Sequence, residues 1–356
     1  MKSALVYKTE QNGIASKLVD VPQPEAANLQ PTQLIIKVNV SGSNPKDWKL
    51  PFFIPQQDNF NTGDDIAGTV VAVGKDVTEF KQGDRVAAFH EMTKEFGSYA
   101  EYAVAWEHTT FMLPKSVSDE EGATIPLAAM TAAVGLYTSL NLPEPWVREG
   151  PSREACKGGV AVYGGASAVG AFVIQLLVKS DIHPIIAVAG NGIDFVESLI
   201  DRSKGDTIVD YRKGGDAIVQ GLKNGVAKGQ TLRYAYDAVS DHGSYGYLSQ
   251  VLDTSKGALM TTVLPGKKFE GIPEGVTNIV TSVGTVHQEK NHDFGYAWFK
   301  LFGQGLKEGW FKPHPHEVVS GGLHGVGEGL SRLQQGKVSA KKMVFRVADT
   351  AGGSKI

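Results

Sequence analysis

One cysteine in 356 residues is the scarcest resource in this sequence. Cys156 alone can form no intrachain disulfide, and it cannot supply the thiolates of a usual four-ligand zinc site. No apolar run reaches the roughly 18 residues that a membrane-spanning helix needs, and the opening "MKSALVYKTEQNG" lacks the apolar centre of a secretion signal. Charge of one sign is missing too: 35 Lys and Arg against 38 Asp and Glu leave a formal net charge of -3, with no basic face. These absences predict a cytoplasmic protein that binds neither nucleic acid nor a membrane surface. What is there is ordinary for a globular chain, 42% hydrophobic and 21% charged, and long enough for about two domains.

Up to about residue 113, short β-like runs, "SALVYK", "QLIIKVNVSG", "IAGTVVAVG", "DRVAAF" and "YAEYAVA", are punctuated by Gly, Pro, Asp and Asn. This half reads as an irregular, barrel-like β domain. From "DEEGATIPLAAMTAAVGLYTSL" the apolar period becomes helical, and strands then alternate with helices through "GVAVYG", "PIIAVAG", "TIVDY", "LRYAYDAV" and "GALMTTVL". That alternation predicts a parallel sheet covered by helices. After helix-like "GVGEGLSRLQQGK", the stretch "SAKKMVFRV" regains strand character and is placed to return to the first domain. The expected division is 1–124, 125–299 and a returning 300–356, with 141–159 as the long polar connector.

The stretch "GGVAVYGGASAVGAFVIQLLVKS", 158–180, runs strand, glycine turn, helix. A dinucleotide fold needs these parts in this order: the tight turn lets backbone approach a pyrophosphate, and the helix N-terminus faces it with unpaired amides and a positive dipole end. Counted back from Gly170, the G-x-G-x-x-G positions are Gly165, Ser167 and Gly170, with serine in the middle. Gly164, Gly165, Ala166, Ser167, Ala168, Val169 and Gly170 are therefore the candidate cofactor contacts. An acidic residue at the end of the second strand marks NAD. Here Ala189, Gly190, Asn191 and Gly192 carry no negative charge, so a 2'-phosphate is not repelled. Lys204, Tyr211 and Arg212 follow as candidates to meet that phosphate, and the predicted cofactor is NADPH.

With these residues in view, the chain resembles the medium-chain dehydrogenase/reductase superfamily along nearly its whole length. "GDDIAGTVVAVGKDVTEFKQGDRVAAF", "GSYAEY", "PLAAMTAAVGLY" and "GGASAVG", in that order, resemble its quinone oxidoreductase branch. "VYGGASAVG", "VDYRK", "LRYAYDAVS" and the tail "PHPHEVVSGGLHGVGEGLSRLQQGKVSAKKMVFRV" are similar to fungal trans-acting enoyl reductases. The resemblance implies an α/β fold in which a Rossmann-type doubly wound parallel sheet domain accompanies a GroES-like irregular β-barrel domain. It implies that "GSNPKDWKL" lines the active site, with Asn44 near the nicotinamide and a lysine as proton donor or oxyanion partner, Lys49 first and Lys46 second. Thr131 resembles the threonine on the nicotinamide side. Gly284, Thr285 and Val286 of "SVGTVHQ" are implied beside the nicotinamide amide, and Val239 and Leu264 as further cofactor contacts.

The sequence also departs from the superfamily's pattern. Its zinc enzymes use a cysteine near the end of the third strand and a histidine-glutamate pair. This chain has Ser43 or its neighbours and Asp64 with Asp65 there, and it lacks the four-cysteine structural lobe. No metal is expected. The usual serine after the second strand is Asn191, and the lysine that often follows is Ile193 or Asp194.

Without a metal, alcohol oxidation loses the Lewis acid that stabilises an alkoxide. A conjugated C=C needs none: the carbonyl withdraws charge from the β-carbon, which accepts hydride, and the α-carbon then takes a proton. The expected function is NADPH-dependent reduction of an enoyl thioester or enone. The substrate is expected as a small molecule or bound to an acyl carrier, with a polyketide synthase as candidate partner, and the enzyme as a monomer or homodimer. A quinone reductase uses the same arrangement, and a nucleotide-binding protein without turnover is the alternative of another class. His314, His316 and His324 lack the spacing of a helical metal site. Asp64 and Asp65, adjacent in a strand, are expected on opposite faces. Trp48, Phe52, Phe53, Tyr99, Trp298 and Phe302 either wall an apolar substrate cleft or fill the core. Cys156 reads as a partly buried small side chain near a loop.

Overall fold

The computed structural model describes residues 1–351, so the end of the expected 300–356 segment lies outside the described residues. Contacts divide the chain into two units, Met1–Leu127 with the segment from Gly284 onward, and Ala128–Val283. The sequence reading set the return at 300. The short helical turn Val283–His287 lies earlier, and Gly284 approaches the Met92 methyl of the first unit.

The first unit opens on a hairpin, β1 (Lys2–Lys8) against β2 (Ile14–Asp20). β3 (Gln33–Gly42) follows, with buried side chains on both faces along most of its length. It leads into α1 (Pro45–Phe53), then β4 (Asp65–Val73), β5 (Arg85–Phe89), β6 (Tyr102–Trp106) and β7 (Thr110–Met112). The expected run "YAEYAVA" is strand only from Tyr102. Short α2 (Asp119–Gly122) starts at Ser118 with a reciprocal capping box to Glu121, and α3 (Pro126–Ala133) carries the chain onward.

In the second unit, α4 (Pro151–Ala155) interrupts the expected connector. Then come β8 (Val160–Tyr163), α5 (Ala168–Lys179), β9 (Ile185–Ala189), α6 (Ile193–Glu197), β10 (Thr207–Asp210) and α7 (Gly215–Gly225). β11 (Tyr234–Asp237), α8 (Ser244–Ser249), β12 (Ala258–Thr262) and β13 (Val276–Val280) complete it. The six strands are parallel in the order β10-β9-β8-β11-β12-β13. β8, first in sequence, thus sits mid-sheet where the winding reverses, the point at which such folds bind ligands. β8, β9 and β11 are buried throughout, as expected of strands covered on both faces.

Back in the first unit, α9 (His292–Glu308) precedes β14 (His316–Val318), α10 (Val326–Gln334) and β15 (Lys342–Arg346). β15 pairs with β3, Val344 opposite Gly42, in a sheet ordered β14-β15-β3-β4-β5-β7, with β6 also on β3. The aromatic residues sort mainly into core. Trp298 and Phe302 are fully buried on α9 and Tyr99 beneath Phe345, so these three fill the core and wall no cleft. Among the described residues no helix is long and apolar enough to cross a membrane.

Candidate active site

The glycine turn is a cradle made of backbone. β8 ends at Tyr163 and the chain turns at Gly164, whose φ of 80° is left-handed and favours glycine. The Ser167 hydroxyl caps α5 by accepting from the Gly170 N–H at 3.1 Å. The first-turn amides of Ala168 and Val169 have no helical carbonyl within reach, and both residues are half-exposed. A Cβ on Gly170 would overlap the Gly164 carbonyl, and one on Gly164 would strike Val239. The left-handed position is therefore Gly164, one residue before the Gly165 of the motif count; Gly165 serves close packing on Ile174 and Ala187. A helix start with unclaimed amides over a glycine turn fits a pyrophosphate.

Around the end of β9 the same unit gathers the residues expected near the ribose. The Tyr211 ring lies over Gly190, where a Cβ would collide with it. Arg212 donates to Asn191 Oδ1 at 3.1 Å and is held twice by Asp210, which its guanidinium pulls down to about 2. Lys204 is elsewhere: it pairs with Asp181, on the turn entering β9 rather than leaving it. Ala189 is buried at the strand end, and Leu264 is half-buried just past β12. The Thr131 carbonyl accepts from Tyr236 Oη at 2.8 Å. The Tyr236 ring fills the space beside Gly135, where the helix widens to a π turn over Val134–Ser139.

The first unit holds two buried ionic networks. In one, Lys46 meets Asp47 Oδ1 at 2.8 Å, Asp64 Oδ2 and the Thr62 carbonyl. Lys46 is thus held by two buried carboxylates as ion pairs and donates to one backbone carbonyl. Asp47 Oδ2 accepts from Tyr99 Oη at 2.6 Å and from the Asn44 N–H at 2.7 Å. Burial pushes Asp47 up to about 6 against the pull of Lys46, and the nearby charge of Asp64 adds to the rise. His90 Nε2 lies 2.8 Å from the Glu95 carbonyl, which only accepts, so that nitrogen carries a proton. Nδ1 faces Asp64 Oδ1 at 2.8 Å, and a hydrogen bond there requires a second proton on that line. Burial raises Asp64, but Lys46 and His90 outweigh it and hold its carboxyl below the usual range.

The second network centres on Lys342, 4% exposed. Its ammonium donates to Asp65 Oδ2, to Asn44 Oδ1 at 3.1 Å and to the Thr124 carbonyl at 3.3 Å. Asn44 Nδ2 donates to the same Asp65 oxygen at 2.7 Å, and Asp65 Oδ1 caps α3 through the Leu127 N–H at 2.6 Å. Asp64 and Asp65 thus serve separate networks, one on each side of the strand start. Asn44 is fixed at both ends of its amide. Lys49, half-buried, places its ammonium 5.3 Å from the Trp48 ring centre.

Sequence reasoning missed Lys342, Asp47 and His90, and named Tyr99 only as an aromatic of the cleft or core, without its hydroxyl's bond to Asp47. Asp47 stands three residues after Asn44, the spacing of a capping box, and was findable. His314 is buried, which pushes it down to about 3 with Lys342 adding, and His324 contacts the Ala351 carbonyl. Cys156 is buried, its thiol pushed up to about 12 by that burial. Among the described residues no group of three His, Cys, Asp or Glu could hold a metal ion. Zinc does not fit at Asp64 and Asp65, because each carboxylate is already neutralised by an internal ammonium.

Residues 30–115 match the family described as alcohol dehydrogenase GroES-like domain. The trans-enoyl reductase fsr4 of Gibberella fujikuroi is 44% identical over 325 residues, covering 91% of this chain and 92% of that protein. A putative zinc-dependent alcohol dehydrogenase from Rhizobium etli shares the fold at TM-score 0.77 and 18% identity, over 97% of this chain and 98% of the other. The CurK enoyl reductase does so at TM-score 0.68 and 19% identity, over 96% and 98%. The chain belongs to the trans-enoyl reductase branch of the medium-chain dehydrogenase/reductase superfamily, and is an oxidoreductase with a nicotinamide cofactor.

Proposed function

We propose that this protein reduces the conjugated C=C of an acyl thioester or enone with NADPH, the thioester being presented by a polyketide synthase. The full-length 44% identity to a trans-enoyl reductase carries the reading. A dinucleotide held by its pyrophosphate at the glycine turn would supply, through its nicotinamide, hydride for the β-carbon of the substrate. The chain does the rest. The first-turn amides of α5 hold the pyrophosphate, and Arg212, braced by Asp210 against Asn191, meets a 2'-phosphate where NADH has only a hydroxyl. Lys49 gives its Nζ proton to the α-carbon, while Lys46, the other lysine of α1, is committed to a buried ion-paired network with Asp47 and Asp64. Asn44, locked by Asp65 and Lys342, fixes the start of α1 and so the reach of Lys49. Thr131 and the backbone at Gly284, Thr285 and Val286 take the nicotinamide side.

The test follows NADPH absorbance with a crotonyl thioester, a simple enone, a 1,2-quinone and, with NADP, an alcohol, under chelator throughout. Turnover of the thioester or enone that survives chelation is the expected result. Turnover of the quinone alone, or chelator-sensitive alcohol oxidation, contradicts it.

A further inference from the structure

Three histidines meet beside the short turn Val283–His287, within the first unit, which the chain re-enters at Gly284. His108, 8% exposed, lies face to face with His292, ring centres 4.0 Å apart and planes 22° from parallel. His287 stands edge-on to His108 at 5.7 Å and tilts against Phe89 at 5.0 Å. The cluster fastens the turn. The Val286 carbonyl is hydrogen-bonded to the His108 ring, the His287 carbonyl accepts from His292 Nε2 at 3.1 Å, and the Thr285 carbonyl from Asn291 Nδ2 at 2.8 Å. α9 comes so close that a Cβ on Gly295 would overlap Val286.

Packing alone does not call for imidazoles here. Both ring nitrogens of His287 and Nε2 of His108 are buried and meet no hydrogen-bond partner among the described residues, and a phenyl ring would fill such a space without that desolvation cost. What an imidazole adds is a place for a proton near neutrality. No counter-ion waits for that proton. Asp64, the carboxylate facing His287, already serves Lys46 and His90. Glu107 is taken by the Thr78 and Glu79 amides, Glu91 by Trp106 Nε1, and Glu289, Lys290 and Asp293 are exposed. Burial accordingly pushes His108 down to about 3 with His292 adding, and His287 to about 3 with His108, His90 and His292 adding.

We infer that His108 and His287 are positioning residues, which latch this turn in their neutral form and release it on protonation. The inference rests on the reading that the backbone at Gly284, Thr285 and Val286 takes the nicotinamide side, so that acid loosens the grip on the nicotinamide and not on the pyrophosphate. In the released turn each imidazole takes up a proton near its ordinary value of about 6.5, and in the latched turn only near 3. The latch is therefore complete above about pH 6.5 and weakens as the pH falls below it, by about tenfold per histidine between pH 7.5 and 5.5.

The experiment measures hydrogen exchange of the 284–292 amides at pH 7.5 and 5.5 in the full chain, corrected for the intrinsic effect of pH on exchange. Protection of these amides, relative to those of β3 in the same unit, is expected to drop about a hundredfold in the wild type and about tenfold in His287→Phe, which gives up no hydrogen bond. It should hardly change when His108→Phe is added. An equal drop in the wild type and His287→Phe overturns the latch. So does an equal drop in the β3 amides, since the rings then support the whole unit rather than the turn. NADP at pH 7.5, compared with 2'-phospho-ADP-ribose, which lacks the nicotinamide, separates this inference from its parent. NADP alone is expected to protect the same amides further. Acid loosening without that added protection leaves the latch standing and removes the turn from the nicotinamide, and added protection without acid loosening overturns the latch and leaves the parent reading intact.

Discussion

The two units hold their polar groups in opposite ways. In the second, the groups proposed to bind the cofactor are backbone amides from the consecutive stretch 164–170, and of the proposed ribose-side charges Arg212 is exposed and Asp210 half-buried. In the first, charged side chains are buried and come from segments far apart, Asn44 and Lys342 being separated by 298 positions. A backbone site loses little when a side chain changes, unless a Cβ enters the cradle. A buried ionic network loses its balance when any one charge is removed, because the partners stay behind without compensation.

The most damaging way to break this contrast is Lys342→Met, which leaves Asp65 buried without its ammonium. Removing one partner of such a pair costs about 3–5 kcal/mol, so the urea midpoint should fall steeply, and an unchanged midpoint would mean that the network contributes nothing. Lys49→Ala sharpens the contrast from the catalytic side. Loss of a general acid costs roughly a hundredfold or more in kcat, and here thermal stability and NADPH affinity should stay near wild type, whereas Lys46→Ala should lower stability as well. Gly170→Ala attacks the backbone cradle by forcing a methyl onto the Gly164 carbonyl; overpacking of this kind costs about 1–3 kcal/mol. Its signature is a raised Kd for NADPH and NADH alike in fluorescence titration. The mildest change is Arg212→Ala, which should weaken NADPH roughly tenfold and leave NADH nearly untouched. Equal weakening of both would remove Arg212 from the 2'-phosphate.

What the sequence revealed follows the same division. The glycine turn is legible because strand, turn and helix are contiguous and each has a local signal, down to the Ser167 cap. The uncharged end of β9 is legible for the same reason, while the separation of Lys204 from Arg212 is not, since both read alike as downstream cations. The networks of the first unit are hidden because no local pattern links Asp64 to His90, or Asp65 to Lys342. A "KK" at a strand entry suggests solvent, and only the pairing of β15 with β3 buries the second lysine. α9 is masked by Gly295, Gly303 and Gly305, which lower helix propensity; burial of Trp298, Phe299 and Phe302 overrides it. The preference between Lys46 and Lys49 within "NPKDWK" likewise turns on three acceptors, of which Asp64 and Thr62 lie well downstream in sequence.

The central claim is metal-free hydride addition to a conjugated C=C followed by protonation at the α-carbon. The most direct measurement is mass and NMR analysis of the product from a crotonyl thioester and NADPH deuterated at both C4 positions, in ordinary water with EDTA present. The account predicts a butyryl thioester with one deuterium on the β-carbon and a solvent hydrogen on the α-carbon. Deuterium at the carbonyl carbon, or turnover that stops on chelation and returns with zinc, would contradict it.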